Sequence, residues 1–214
     1  TDLYIYICFK EIMKALQGRR KPVESCGAFL TITRDIAKES GFAHLFSGEQ
    51  NDPHEFMVYL LDRIHNAKAS NVKINIPATT DFEPDKLYLK LYLEQFKKRY
   101  ERDFSLFVKN FYYYMLNCIE CSRCEHVSYE VSPNDIMCVS LPENWQRMPR
   151  ISLDECIADY FKVEAIDYRC EKCGNRHSNR QDKKLLTRPK TIIIKLKRYT
   201  QMGNMLYKVN KFIS

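Results

Sequence analysis

Four of the nine cysteines form two Cys-x-x-Cys pairs, and these are the residues of the chain best suited to do chemistry. The first pair is Cys121 and Cys124, and the second is Cys170 and Cys173. A Cys-x-x-Cys turn directs two thiolates at one ion, and two such turns complete a tetrahedral set of sulfur ligands for which zinc is the usual occupant. Because four protein ligands leave no position open for water, the predicted zinc is structural rather than catalytic.

The residues around the two pairs support a metal site. Gly174 directly follows the second pair, where a residue with positive φ helps the backbone to turn back. Cys118 stands at the same spacing before Cys121 as Cys121 does before Cys124, so the first pair is ambiguous. We assign Cys121 and Cys124 as ligands and interpret Cys118 as a spare cysteine or a strand residue.

Two alternatives to a four-cysteine zinc site remain open at this point. His126 and His177 lie near the pairs and could replace a cysteine ligand, although single histidines in loops are more often bystanders. The cysteines could also form redox pairs or simply pack in the core. No thioredoxin-like βαβ pattern surrounds either pair, which disfavours redox chemistry.

The composition is that of an ordinary globular protein of 214 residues, long enough for one large or two small domains. Hydrophobic residues make up 45% and charged residues 29%, which excludes wholesale disorder, and no apolar run approaches the roughly 20 residues that span a bilayer. The net charge of +7 is dispersed, so we interpret it as solvated surface rather than a nucleic-acid-binding patch. An odd number of cysteines with metal-type spacing predicts a cytoplasmic or nuclear location.

The first half of the sequence has the apolar periodicity of helices. Helices are predicted over residues 4–16 and 28–40, with Cys26 in the loop between them. A third helix is predicted to begin with Asp52 as its N-cap and Pro53 as its first residue, and Glu55 is predicted to complete a capping box.

The rest of the chain shows weaker patterns that change towards strands. Residues 66–85 are predicted to form a surface loop or linker, and helix and strand periods conflict over residues 86–111. Beyond them we predict strands and one helix: strands over residues 112–118, 128–131, 136–141 and 191–196, and a helix over residues 153–161.

Four stretches of the sequence, in matching order and spacing, resemble the ubiquitin-specific protease family of cysteine peptidases. They are residues 50–65 (QNDPHEF followed by LLDRIH), 121–142 (CSRC, then Ser128 and VSLP), 152–173 (SLDECI, then YRCEKC) and 189–210 (Pro189, IIIKLKRY and KVN). The sequence departs from the family's pattern at four of these positions, which indicates a divergent member: Asn51 for Gln, Pro53 for Ala, Lys195 for His and Tyr199 for Phe.

This resemblance implies an α+β fold, the papain-like hand of the family. It implies a helical thumb at residues 1–110, zinc-ribbon β fingers at residues 111–191 and the start of the palm sheet at residues 192–214, all within one catalytic domain truncated at both ends. The implied function is deubiquitination, the thiol-dependent hydrolysis of (iso)peptide bonds at the C-terminus of ubiquitin. The implied partners are ubiquitin or ubiquitinated proteins, with no membrane involved.

No catalytic residue is assigned within the chain. The family's nucleophile box should precede the thumb helices, and its histidine box should follow residues 208–210. Cys8 and Cys26 lack the residues that flank the nucleophile in the family. We therefore expect an internal fragment of the catalytic domain that is inactive by itself.

The resemblance also implies ubiquitin-binding residues. Gln50, Asp52 and Glu55 belong to the box with which the family meets basic residues of the ubiquitin tail, and Tyr199 matches a Phe that could line the tail channel. Each has a simpler explanation, because Asp52 and Glu55 could merely cap a helix, worth about 1 kcal/mol, and Tyr199 could be a core residue.

Two other functions fit the same residues. The protein could be a family member that has lost catalysis and binds ubiquitin as an interaction module. It could also be a zinc-ribbon nucleic-acid-binding module, which would need basic residues on one face beside Tyr112, Tyr113 and Tyr114. Salt-sensitive binding to DNA or RNA would identify the latter.

Overall fold

The structure, a computed structural model, forms two compact units, each built from two stretches of the chain. The first unit comprises Thr1–Ile74 and Arg99–Lys109, and the second comprises Asn75–Lys98 and Asn110–Ser214. The structure describes residues 2–18, 23–76, 86–174, 176–202 and 205–214. Parts of the loop predicted between the first two helices and of the loop predicted at residues 66–85 therefore lie outside the described residues.

Helices dominate the first half of the chain and strands the second. The helices are α1 (Asp2–Gln17), α2 (Val23–Glu39), α3 (Pro53–Lys68), α4 (Leu87–Tyr100), α5 (Leu106–Phe111) and α6 (Leu153–Tyr160), with a short 3-10 helix at Ala43–Phe46. The strands are β1 (Tyr113–Glu120), β2 (Val127–Asn134), β3 (Ile136–Ser140), β4 (Glu164–Arg169), β5 (Arg176–Leu185), β6 (Ile193–Lys197), β7 (Tyr199–Met202) and β8 (Met205–Lys208). This segregation confirms the predicted α+β class.

The first unit is held together by helices α1, α2 and α3. Ile5 of α1, Phe29 of α2 and Tyr59 of α3 are buried. The Tyr59 hydroxyl donates a hydrogen bond of 3.0 Å to the carbonyl oxygen of Thr33, so the most polar atom of this buried ring is satisfied. Helix α2 begins earlier than predicted, and Cys26 lies within it rather than in the preceding loop.

Residues 86–111, where two periodicities conflict, contain helices α4 and α5, which are separated by a non-helical segment at residues 101–105. Tyr92 and Phe96 stand one helical turn apart in α4, and their ring centroids lie 5.7 Å from each other. The Tyr92 ring also packs edge-on against Tyr114 of β1, at a centroid distance of 5.0 Å. Tyr92 and Phe96 are four positions apart, a spacing that places both rings on one face of a helix. This spacing therefore favours the helix over the strand.

The largest sheet has the strand order β2-β1-β5-β4, and all of its pairs are antiparallel. Strands β4 and β5 are absent from the sequence prediction, because a mostly polar strand such as β5 (RHSNRQDKKL) lacks an alternating apolar pattern. The sheet ends in two hairpins, β1–β2 and β4–β5, and each hairpin turn contains one Cys-x-x-Cys pair.

A second, parallel pair joins β3 to β6, with Ile136 opposite Ile193. Met137 and Val139 of β3 are buried in a core that also contains Cys156 of α6. Helix α6 begins with a capping box formed by Ser152 and Glu155. Strands β7 and β8 pair with each other as a separate antiparallel hairpin. Among the described helices, none has both the length and the apolar character needed to cross a bilayer.

Candidate functional site

The four predicted cysteine ligands come together at the ends of the two hairpins. The sulfur atoms of Cys121, Cys124, Cys170 and Cys173 all lie within 4.8 Å of one another. Cys121 Sγ is 3.8 Å from Cys173 Sγ, and Cys124 Sγ is 3.7 Å from Cys170 Sγ. Four sulfurs placed about 2.3 Å from a tetrahedral zinc ion would be separated by about 3.8 Å. Both the donor set and its spacing therefore fit a zinc-type metal ion.

The two Cys-x-x-Cys turns have the same backbone geometry. The residue after each second cysteine has positive φ, 56° at Glu125 and 70° at Gly174. Each of these residues donates its backbone N–H to the carbonyl oxygen of the first cysteine of its pair, Cys121 at 3.0 Å and Cys170 at 2.9 Å. The prediction for Gly174 is confirmed, whereas Glu125 occupies a conformation that is uncommon for a residue other than glycine.

The environment of the thiols makes their ionisation unequal. Burial opposes the ionisation of Cys121, but hydrogen bonds from the backbone of Arg123 and Cys124 and from the His177 side chain lower its pKa to about 5. The backbone of His126 favours the Cys124 thiolate, but burial and the neighbouring sulfurs raise the pKa of Cys124 to about 11. Because a metal binds thiolates, metal binding here would release protons.

The side-chain amide of Asn179, a residue of β5, links the two cysteine turns through hydrogen bonds. The residue is 2% exposed. Its Nδ2 group donates to the carbonyl oxygens of Tyr168 and His177, each at 2.8 Å, and its Oδ1 accepts from the backbone N–H of Ser122 at 3.1 Å. Ser122 lies inside the first turn and Tyr168 precedes the second, so one buried amide fixes both. Nothing in the sequence distinguishes Asn179 from other polar strand residues.

Residues near the four cysteines differ in their relation to the cluster. His177 Nε2 lies 3.2 Å from Cys121 Sγ, so the His177 ring contacts the cluster, although it is not one of the four clustered residues. Among the described residues, the His126 side chain makes no hydrogen bond to a cysteine sulfur. Cys118 is a residue of β1 outside the cluster, and burial raises the pKa of its thiol.

The predicted ubiquitin-binding residues of the first unit lie together at the start of α3. Gln50 is exposed just before the helix. Asp52 is the N-cap, and its Oδ1 accepts the backbone N–H of His54 at 2.9 Å. The predicted capping box is wrong, because Glu55 turns away and its Oε1 lies 2.8 Å from His44 Nε2. Two carboxylates therefore stand at the positive end of the helix dipole.

The fourth predicted binding residue belongs to the second unit. Tyr199 is the first residue of β7, and 57% of its surface is exposed. The explanation of Tyr199 as a core residue is therefore wrong. Its exposure leaves the ring available to a partner, and contact with ubiquitin stays a prediction.

No catalytic pair is found among the described residues. Cys8 lies within α1 and Cys26 within α2, and both are partly buried. In the part of the chain that the structure describes, neither thiol forms a hydrogen bond with a histidine, the usual base for a cysteine nucleophile.

The model of one protein family, ubiquitin carboxyl-terminal hydrolase, matches residues 1–214. The chain belongs to this family. The resemblance seen in the sequence is therefore confirmed.

Among curated relatives, ubiquitin carboxyl-terminal hydrolase 4 of Saccharomyces cerevisiae (strain ATCC 204508 / S288c) is 24% identical over 176 residues, which are 78% of this chain and 19% of that protein. Ubiquitin carboxyl-terminal hydrolase 36 of Drosophila ananassae is 27% identical over 207 residues, or 91% of this chain and 16% of that protein.

A solved structure of the SAGA DUB module Ubp8/Sgf11/Sus1/Sgf73 bound to monoubiquitin has a chain with the same fold. The TM-score is 0.65 at 18% sequence identity, and the match covers 98% of this chain and 41% of that chain. This chain thus spans less than half of that chain and about a fifth of the curated relatives it matches. The predicted hand fold of the family is confirmed, whereas the boundaries of thumb, fingers and palm stay predictions.

Proposed function

We propose that the protein is a deubiquitinating cysteine peptidase that hydrolyses the (iso)peptide bond at the C-terminus of ubiquitin. The family match over residues 1–214 carries this proposal. In the proposal the nucleophilic cysteine and its histidine base lie outside residues 1–214, and this chain supplies binding surface and a structural brace. Ubiquitin or a ubiquitinated protein is the proposed substrate.

The start of α3 is the proposed contact for the basic tail of ubiquitin. Asp52 and Glu55 place two carboxylates within one helical turn, and their side chains remain accessible. The His44–Glu55 contact is exposed on both sides, with 51% and 41% of the side chains accessible, so it is weak enough for an incoming arginine to replace it. Gln50 and Tyr199 are the proposed polar and aromatic contacts.

The proposed metal is zinc, held by Cys121, Cys124, Cys170 and Cys173. When bound, it would cross-link the two hairpin ends and stabilise them without taking part in hydrolysis. The sulfur spacing and the two matching turns support this role.

Turnover by the full-length protein tests the enzymatic part of the proposal. The substrate is ubiquitin with a fluorogenic amide at its C-terminus, and the control is protein treated with a thiol-alkylating reagent. We expect hydrolysis that alkylation abolishes. Ubiquitin binding without hydrolysis would instead identify a catalytically inactive ubiquitin-binding member, and salt-sensitive binding to nucleic acid with neither activity would identify a nucleic-acid-binding module.

Substitutions at the start of α3 test the proposed contact. Asp52→Asn removes the charge but keeps an oxygen that caps the helix, and Glu55→Gln removes the second charge. We expect each change to weaken binding of ubiquitin on the order of tenfold, equivalent to about 1.4 kcal/mol. Glu49→Gln removes a nearby exposed charge outside the box and serves as the matched control. Equal effects of all three changes would reject a specific contact.

A further inference from the structure

Among the residues that the structure describes, the ring of His177 is the side chain outside the four cysteines that forms a hydrogen-bond contact with a cluster sulfur. Its Nε2 atom lies 3.2 Å from the sulfur of Cys121, and Cys121 itself is 3% exposed. A buried thiolate in contact with an imidazole nitrogen needs a defined proton position, because two acceptors at this distance would repel each other.

The charge of a four-thiolate site determines where that proton lies. Four thiolates around Zn²⁺ carry a net charge of −2, which is costly to bury unless N–H groups donate to the sulfurs. A metal-bound thiolate has no proton to give. The contact is therefore a hydrogen bond only if His177 donates its Nε2–H to Cys121 Sγ.

Strand β5 holds His177 in the position that this bond requires. His177 lies opposite Tyr168 in the β4–β5 ladder, and its carbonyl oxygen accepts a hydrogen bond of 2.8 Å from Asn179. Asn179 stands two residues further along, so both side chains lie on the same face of the strand. The same amide anchors Ser122 in the first cysteine turn, which fixes the strand and the turn relative to each other.

We propose that His177 is a positioning residue of the metal centre that donates its Nε2–H to the Cys121 thiolate. The bond offsets part of the sulfur's charge and fixes the direction of its lone pairs towards the metal. Outer partners of this kind orient metal ligands, and their loss typically lowers metal affinity about 10–100-fold. The inference rests on the zinc site of the proposed function and is independent of hydrolysis.

Cobalt titration of the full-length protein and two variants tests this role. His177→Phe keeps an aromatic ring but removes the donor, and His177→Gln retains an N–H group. We expect Co²⁺ and Zn²⁺ to bind His177→Phe about 10–100-fold more weakly than the unchanged protein, with partial recovery in His177→Gln. His126→Phe is the matched control, because the side chain of this nearby histidine makes no hydrogen bond to a sulfur among the described residues, and the change keeps its backbone contact with Cys124. This variant should bind both metals like the unchanged protein.

The sulfur-to-cobalt charge-transfer band separates a hydrogen bond from a merely structural role. Loss of an N–H donor makes the thiolate a better electron donor, so the band should move to longer wavelength in His177→Phe and return in His177→Gln. General loosening of the fold would lower the band's amplitude without moving it. Unchanged affinity and band position in His177→Phe would overturn the inference while leaving the zinc site intact, whereas failure of the unchanged protein to bind Co²⁺ would overturn both.

A measurement on the unchanged protein avoids dependence on any variant that fails to fold. The ¹⁵N chemical shift of His177 Nε2 in the zinc-loaded protein distinguishes a protonated, a bare and a metal-bound nitrogen. We expect a protonated Nε2. A bare or metal-bound Nε2 would overturn the inference.

Discussion

Replacing Asn179 with alanine should loosen the hairpin formed by β4 and β5. The change removes three hydrogen bonds, from Ser122 N–H and to the carbonyl oxygens of Tyr168 and His177. Each such bond contributes about 1 kcal/mol net, and here its loss also leaves a polar backbone group without that partner. We therefore expect the free energy of opening of the hairpin to fall by about 3 kcal/mol.

Amide hydrogen exchange over residues 164–185, followed by mass spectrometry, measures this opening. Free zinc must be held constant, because metal binding to the folded state adds to the measured stability. A loss of about 3 kcal/mol corresponds to exchange faster by about 100-fold, since each 1.4 kcal/mol is a factor of ten.

Asn117→Ala is the matched control for this change. Asn117 lies in β1, and its amide bonds only to the side chains of Glu130 and Gln181 among the partners described. These side chains can turn to water, so we expect a loss of about 1 kcal/mol or less. Equal acceleration of exchange in the two variants would refute the reasoning that Asn179 fixes both cysteine turns.

Two further predictions concern the metal and the pH dependence of stability. We expect elemental analysis to find one zinc per chain in the unchanged protein and in Cys118→Ser, and none in Cys170→Ser; the reverse result for the two variants would show that the ligands are wrongly assigned. Burial lowers the pKa of His65 below its ordinary value of 6.5, so the unfolded state binds the proton more tightly than the folded state does. The stability that this difference contributes is present in full above about pH 6.5 and is lost as the pH falls towards the lowered pKa. Thermal unfolding between about pH 5 and 8 should therefore show a smaller acid loss in His65→Gln than in the unchanged protein, and equal losses would contradict the prediction.

The sequence predicts those features of the candidate site that depend only on residues a few positions apart in the chain. The clustering of the four cysteines was predictable because each Cys-x-x-Cys turn fixes its own geometry, and the positive φ of Gly174 was predictable from its place after the turn. The capping role of Asp52 was predictable for the same reason, since a helix start is decided within one turn.

Contacts that depend on strand register or on a distant segment were not predictable. His177 touches Cys121 because β5 lies between β1 and β4, an order that no local pattern reveals. Glu55 satisfies the local rule for a capping box, yet His44, eleven residues away, takes its carboxylate instead. Such competition between a local and a distant partner is settled by the packing of the whole unit.

The pairing of β3 with β6 affects how the protein is made on the ribosome. Strand β3 is synthesised well before its partner, and residues 141–192 must follow before β6 exists. At a synthesis rate of about 5–20 residues per second, the apolar edge of β3 remains without its partner strand for roughly 3–10 seconds. Both cysteine turns are complete before β6 emerges, so zinc captured by the nascent chain would bring the two hairpins together early. Shortage of zinc during translation should therefore reduce the yield of newly folded protein more than it harms molecules that are already folded.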